Sequence, residues 1–230
     1  MPCFGPHTGG NFKAKTSHVQ RASGRTGVPD INEGAVLSNP AIELLLNRCS
    51  APIQELKEPA PSDEEIRTIL TAASRVPDHG RLAPWRFIIF RGEARELVGE
   101  KLVELALKRE PDLSEARQEQ ERTRFSRAPL VIGVVSVPRE HPKVPQWEMF
   151  LSGGAAAMNL VLAANALGYS TNWITNWYSD DEEGRRILGL APEERVVGFV
   201  HIGTFSGQPQ QRPRPDLDSL VSEYSGPYEG

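Results

Sequence analysis

Two short segments of this chain carry side chains suited to gripping an anion and displaying polar groups to a ligand. The first is Arg48-Cys49-Ser50. An arginine offers a planar fork of N–H donors matched to phosphate, and a serine hydroxyl can add one more hydrogen bond. The simpler reading is that Arg48 complements the dipole of a helix ending beside it. The second segment runs Arg75-Val76-Pro77-Asp78-His79-Gly80-Arg81-Leu82-Ala83-Pro84-Trp85-Arg86-Phe87. Its polar and flexible middle lies between a helix stop and a strand, which is where ligand-binding groups are commonly displayed. Taken alone, it reads as readily as a surface connection.

The surrounding elements must position these groups. Ser38 and Pro40 have the types expected of a cap and a first-turn proline. Ile42, Leu45 and Leu46 then fall on one helical face, so the helix delivers Arg48 and Ser50 at its far end. Ser62-Asp63-Glu64-Glu65 forms a capping box, and Ile66, Ile69, Leu70 and Ala73 recur at helical spacing. A helix is therefore expected from Ser62 to about Arg75, ended by Pro77, which cannot donate and which disfavours helix at Val76. Trp85 to Phe90 reads as a strand. Gly92 to Arg109 reads as an amphipathic helix burying Leu97, Leu102, Leu105 and Ala106. Pro111 interrupts it, and Ser114 to Thr123 forms a polar helix, either a solvated surface element or a mobile flap.

Pro129 to Val137 is a continuous apolar run, the pattern of a strand covered on both faces. Trp147 to Leu167 is the longest helix. Its Ser152-Gly-Gly-Ala-Ala-Ala-Met158 stretch is small enough for another helix to approach closely, including one across a dimer seam. Read as a phosphate cradle, Gly153-Gly154 fails, because no P-loop or dinucleotide fingerprint surrounds the pair. Ser170 to Ile174 is a strand, Asp180 to Leu188 a helix and Glu194 to Gly203 a strand. Helices and strands that do not strictly alternate point to an α+β fold and away from a doubly wound sheet.

Composition narrows the function classes. At 230 residues the chain can bury a substantial core, and 39% hydrophobic with 24% charged residues is ordinary for a globular protein. A net charge of -4 argues against nucleic acid as a partner while leaving room for a local basic pocket. Cys3 and Cys49 make no disulfide framework, which fits a reducing, cytoplasmic setting. Neither they nor the five histidines have zinc-ligand spacing. No apolar run suggests a membrane helix. Residues 1–37 are rich in Gly, Ser, Thr and basic residues without apolar periodicity, so they are expected to form a disordered extension ahead of a domain spanning 38–230.

Taken together, the motifs resemble the FMN-dependent nitroreductase superfamily, and within it a small NAD(P)H nitroreductase branch. The ordered series is Arg48-Cys49-Ser50, Glu58-Pro59-Ala60-Pro61, Arg75-Val76-Pro77-Asp78-His79 and Pro84-Trp85-Arg86-Phe87. It continues through His141-Pro-Lys-Val-Pro-Gln-Trp147-Glu148, Leu167-Gly168-Tyr169, Trp173, Val197-Gly198-Phe199 and Ile202-Gly203-Thr204. The resemblance covers nearly everything from Ser38 onward, and the series is more specific than any one motif.

It implies a mixed sheet flanked by helices, built as an intertwined homodimer with FMN at the interface, and NAD(P)H as electron donor. By the same resemblance Arg48 and Ser50 serve the ribityl-phosphate end of FMN, with Cys49 contributing through its backbone. Arg75 and His79 reach the flavin from the partner subunit, and Trp173, Ile174 and Thr175 line the ring. Arg212-Pro213-Arg214 resembles a basic pair placed on the FMN phosphate, and Arg214 is carried into the site; the other reading of the pair is a solvated tail.

No side chain is required as a nucleophile. His79 is a flavin hydrogen-bonder or loop residue, with general base as the sharper alternative. Cys49 stands where relatives carry Arg, Ile174 where they often carry Arg and Asn176 where they often carry Gly, which affects substrate choice more than FMN binding. Expected acceptors are nitro compounds, with quinones, enals or halogenated aromatics as the alternative and a non-catalytic flavin-binding protein as the rival from another class. A hydrolase using Ser152 or Cys49 fails, because neither sits in a strand–turn–helix elbow.

Overall fold

In the computed structural model, residues 39–208 and 210–227 are described. The expected extension at 1–37 and the expected cap Ser38 lie outside them. Among the described residues, six α-helices and one sheet form three layers. In chain order these are α1 (Pro40–Asn47), α2 (Asp63–Ala73), β1 (Trp85–Arg91), α3 (Glu93–Arg109), α4 (Glu115–Arg122), β2 (Leu130–Ser136), α5 (Gln146–Ala166), β3 (Ser170–Ile174), α6 (Glu182–Ile187) and β4 (Arg195–Gly203). The strand order is β1-β2-β4-β3. Each pairing among the described residues is antiparallel, so the parallel pair that a mixed sheet needs does not occur within them. The α+β class, with helices flanking one sheet, is as expected.

β2 shows why the middle of the sheet reads as unbroken apolar sequence. All seven of its residues are buried. Leu130, Ile132 and Val134 pack with Ile66, Ile69 and Ala73 of α2 and Ala157, Leu160, Val161 and Ala164 of α5. Val131 and Val135 point to the opposite face, among Val98 and Leu102 of α3, Phe125, Tyr178 and Phe199. A period of two places alternate residues on each face, and both faces are covered. Gly133 lies between the Phe90 and Phe199 rings, where an added Cβ would meet them at 3.3 and 3.2 Å.

Several local expectations are corrected. The cap of α1 is Asn39, whose Oδ1 accepts from the amides of Ala41 and Ile42 at 3.0 and 3.4 Å. Leu97 is 62% exposed, and α3 buries Val98, Leu102, Val103 and Leu105. The burial stripe follows 98, 102 and 105, which turns Leu97 to solvent. The small residues of α5 admit a strand as well as a helix: a Cβ on Gly153 would come within 2.9 Å of Val197 on β4, while Gly154 faces open space. Finally, α5 is long and apolar enough by composition to cross a membrane. Its residues Met149, Gly153, Ala156, Ala157, Leu160, Val161 and Ala164 are instead buried inside the domain.

Candidate functional site

The Ser62 capping box forms as expected. The Ser62 hydroxyl accepts from the Glu65 amide at 3.3 Å, and the Glu65 carboxylate accepts from the Ser62 amide at 2.8 Å. It anchors the start of α2, and the far end of α2 leads into the Arg75–Ala83 loop. Three residues there take positive φ: Gly80 at 74°, Arg81 at 55° and Ala83 at 46°. Non-glycine residues in that region are strained and persist where surrounding contacts over-determine them. Those contacts are visible. The Asp78 carboxylate accepts from the amides of Leu82 and Ala83 at 3.1 and 2.8 Å.

From the other side, α5 clips the same segment with three polar side chains. Asn159 Nδ2 donates to the carbonyls of Ala72 and Arg75 at 3.4 and 3.0 Å, and the Ser152 hydroxyl donates to the carbonyl of Pro77 at 3.0 Å. Glu148 Oε2 lies 2.7 Å from His79 Nδ1. Positions 148, 152 and 159 share one helical face, so they read as a single polar stripe. Ser152 is thus occupied in holding the loop.

Arg48, Cys49 and Ser50 follow α1 directly. Their path is set by Ala51, whose amide donates to the Thr171 carbonyl at 3.1 Å and whose carbonyl accepts from Asn172 Nδ2 at 2.6 Å. The segment is therefore tied to β3, an edge strand. There Arg48, Cys49 and Ser50 line a cavity of about 100 Å3 with Gln210, Arg212 and Arg214. Arg214 Nη2 donates to the Arg48 carbonyl at 3.2 Å. Three arginines, a serine and a glutamine line the cavity, with no acidic residue among the described lining residues. Such a donor set fits a phosphate monoester, which offers several acceptor oxygens and negative charge. Arg212 and Gln210 complete it; Gln210 sits in an irregular tail that carries no periodic signal.

Trp173, Ile174 and Thr175 lie at the end of the same β3 strand. Trp173 Nε1 donates to the Val197 carbonyl at 3.4 Å, and its indole lies against the backbone of Gly198 so closely that no Cβ could fit there. That contact accounts for the glycine in Val197-Gly198-Phe199. Arg75 and His79 are not gathered with this group. His79 lines a cavity of about 320 Å3 with Pro77, Glu148, Leu151, Ser152 and Ala155. Arg75 lines a groove of about 700 Å3 between α2 and the outer edge of β1, with Arg67, Leu70, Phe87, Ile89 and Arg91.

Behind the sheet, on the α3–α4 side, lies a buried polar group. Glu121 pairs with Arg124 at 2.7 Å and accepts from Trp177 Nε1 at 3.0 Å. Burial pushes its carboxyl up, but the bonds from Arg124 and Trp177 outweigh this and leave it below the ordinary range. The expected solvated face of α4 is thus partly a buried ion pair. Desolvation drives His201 down to about 4 and Tyr178 up to about 12, so both are neutral at pH 7. Arg86 and Glu194 make a second partly buried pair, with Nε–Oε1 and Nη2–Oε2 at 2.6 and 2.7 Å.

Comparison with known proteins agrees with this architecture. Residues 53–204 match the Nitroreductase family model. The chain is 37% identical over 164 residues to the Escherichia coli (strain K12) protein named "Putative NAD(P)H nitroreductase YdjA", covering 71% of this chain and 87% of that one. A Haemophilus influenzae protein of like designation is 38% identical over 165 residues, covering 71% and 88%. Among solved structures, a nitroreductase-like family protein from Bacillus cereus superposes with a TM-score of 0.68 at 20% identity, over 84% of this chain and all of the other. A Desulfovibrio desulfuricans chain solved with FMN gives 0.62 at 23% identity, over 83% and 99%. The antiparallel sheet between helical layers and the family match over most of its length agree: this chain belongs to the nitroreductase family.

Proposed function

We propose that the protein is an FMN-dependent oxidoreductase that takes hydride from NAD(P)H and passes it to a nitro compound or similar acceptor by a ping-pong mechanism. The observation that carries this reading is the carboxylate-free arginine cavity beside the β3 edge, which suits the FMN phosphate. When bound, FMN supplies the redox chemistry, accepting hydride at N5 in one half-reaction and releasing it in the next. Arg48, Arg214 and Ser50 hold the phosphate end, with Arg212 beside them. By the same reading Trp173, Ile174 and Thr175 form a wall along the ring, and donor and acceptor take the same flavin face in turn.

The reading includes a homodimer with the cofactor between two copies. Arg75 and His79 line cavities separate from the arginine cavity, as expected if they serve the site of a second copy. Apolar surface supports an interface: Ile42, Leu45 and Leu46 on α1 and Trp147, Phe150 and Leu151 on α5 are all exposed. Contiguous exposed apolar residues commonly mark association surfaces.

A visible absorption spectrum of purified protein, followed by anaerobic NADH or NADPH, tests this. Flavin absorption that bleaches and then recovers with a nitroaromatic supports it. Recovery with quinones, enals or halogenated aromatics alone moves the enzyme to another acceptor class. Bound flavin that neither nucleotide reduces identifies a binding protein without turnover, and protein that ignores added FMN rejects the reading.

A further inference from the structure

The contact between α5 and the Arg75–Ala83 loop has a chemical asymmetry at the His79 ring. Nδ1 faces Glu148 at 2.7 Å, while Nε2 makes no hydrogen bond among the described residues. The His79 side chain is 57% exposed and that of Glu148 30%, so the ring projects beyond the carboxylate that holds it. An ionised carboxylate can only accept, which puts a proton on Nδ1 whether the ring is neutral or cationic. Second partners of this kind commonly fix the tautomer and orientation of a functional histidine.

We propose that Glu148 is a positioning residue: it keeps His79 Nδ1 protonated and leaves Nε2 as the single ligand-facing nitrogen of the ring. This rests on the flavin reading above and deepens it. With Nδ1 occupied, the neutral ring offers a lone pair at Nε2. That atom matches an N–H of the flavin ring or a ribityl hydroxyl, and not a dianionic phosphate, which has no proton to give. The His79 cavity holds a carboxylate and no arginine among its described lining, so His79 is assigned to the non-phosphate part of the cofactor and the arginines to the phosphate. The cavity beside the pair, with Pro77, Leu151 and Ala155 among its walls, suits an apolar ring edge. Ser152 and Asn159 hold the backbone while Glu148 holds the ring, so loop and side chain are set by one helix.

The test uses the full-length chain carrying 15N-labelled histidine, with the His79 signal assigned by its loss in His79→Gln. In alkaline buffer the wild type should show the Nδ1–H tautomer at His79. Glu148→Ala should revert to the Nε2–H form that imidazole favours in water. Glu148→Gln, whose amide oxygen can still accept, should restore Nδ1–H. FMN titration followed by fluorescence should show Glu148→Ala and His79→Ala each weakening binding roughly three- to tenfold, with the double variant no weaker, as expected for one shared hydrogen bond.

An Nε2–H tautomer in the wild type overturns the proposal. So does a tautomer switch that leaves FMN affinity unchanged. If no protein, wild type included, takes up FMN, the flavin reading fails, and the three tautomer spectra still decide whether Glu148 sets the ring.

Discussion

Arg48 lines the candidate cavity, and its carbonyl anchors Arg214 at 3.2 Å. Arg48→Ala keeps the carbonyl and removes the charge, so it should weaken FMN binding by about 1.5–3 kcal/mol without disturbing the fold. Equal affinities in a side-by-side titration would remove Arg48 from the site. Residue chemistry marked Arg48 and Ser50 as donors suited to phosphate, and the family resemblance added Arg214. What they could not reveal was the hydrogen-bonding of Ala51 to Thr171 and Asn172, which brings the first two to the edge of β3.

His201 makes a different prediction. Its folded value of about 4 lies below the ordinary 6.5, so between those values the unfolded chain binds more protons than the folded one. Stability is full above about pH 6.5 and should fall as the pH drops toward 4, by a few kcal/mol on the order implied by the shift. Urea titrations at pH 7, 6, 5 and 4.5 should show the decline. His201→Leu should flatten it in that window, and an unchanged slope would mean another group is responsible.

The helices and strands themselves were largely legible, because capping and apolar spacing act locally. Ser62 and Glu65 bond as their spacing predicts, and Pro129 to Val137 buries both faces. The errors arose where tertiary packing chose between local alternatives. The phase of α3 was set by the Val98 side of the helix, so Leu97 faces water. The polar Ser114–Thr123 helix gives no sign that Glu121 is buried, because Trp177, which covers and bonds it, is 56 residues away in sequence. The glycine of Val197-Gly198-Phe199 was noticed as a motif, but its cause, the Trp173 indole on the neighbouring strand, lies across the sheet.

That cause predicts an element-scale effect. Gly198→Ala should displace Trp173 and shift the end of β3, lowering stability by about 1–3 kcal/mol as overpacking does. Tryptophan fluorescence and thermal unfolding would register it together. A variant matching the wild type in both would mean that the indole rests elsewhere.

Across the molecule, the exposed residues of α1 are the sharpest test of association. A helix whose Leu45 and Leu46 are 50% and 60% exposed gains little from its own domain. Sedimentation should give a dimer, and Leu46→Glu should move the equilibrium toward monomer with flavin lost in parallel. A flavin-loaded monomer would contradict the shared site.

The outer side of β1 is the other open boundary, where Phe87 and Ile89 line a groove beside a strand edge that has no partner among the described residues. A strand edge left without a partner is a template for further strand pairing. If a second copy covers that side of the molecule, folding and association are linked by mass action, and the melting temperature should climb as protein concentration rises. Dilution would then do more than separate subunits. Newly made chains at low abundance would carry an adhesive border, making the earliest molecules in a cell the ones most in need of a chaperone.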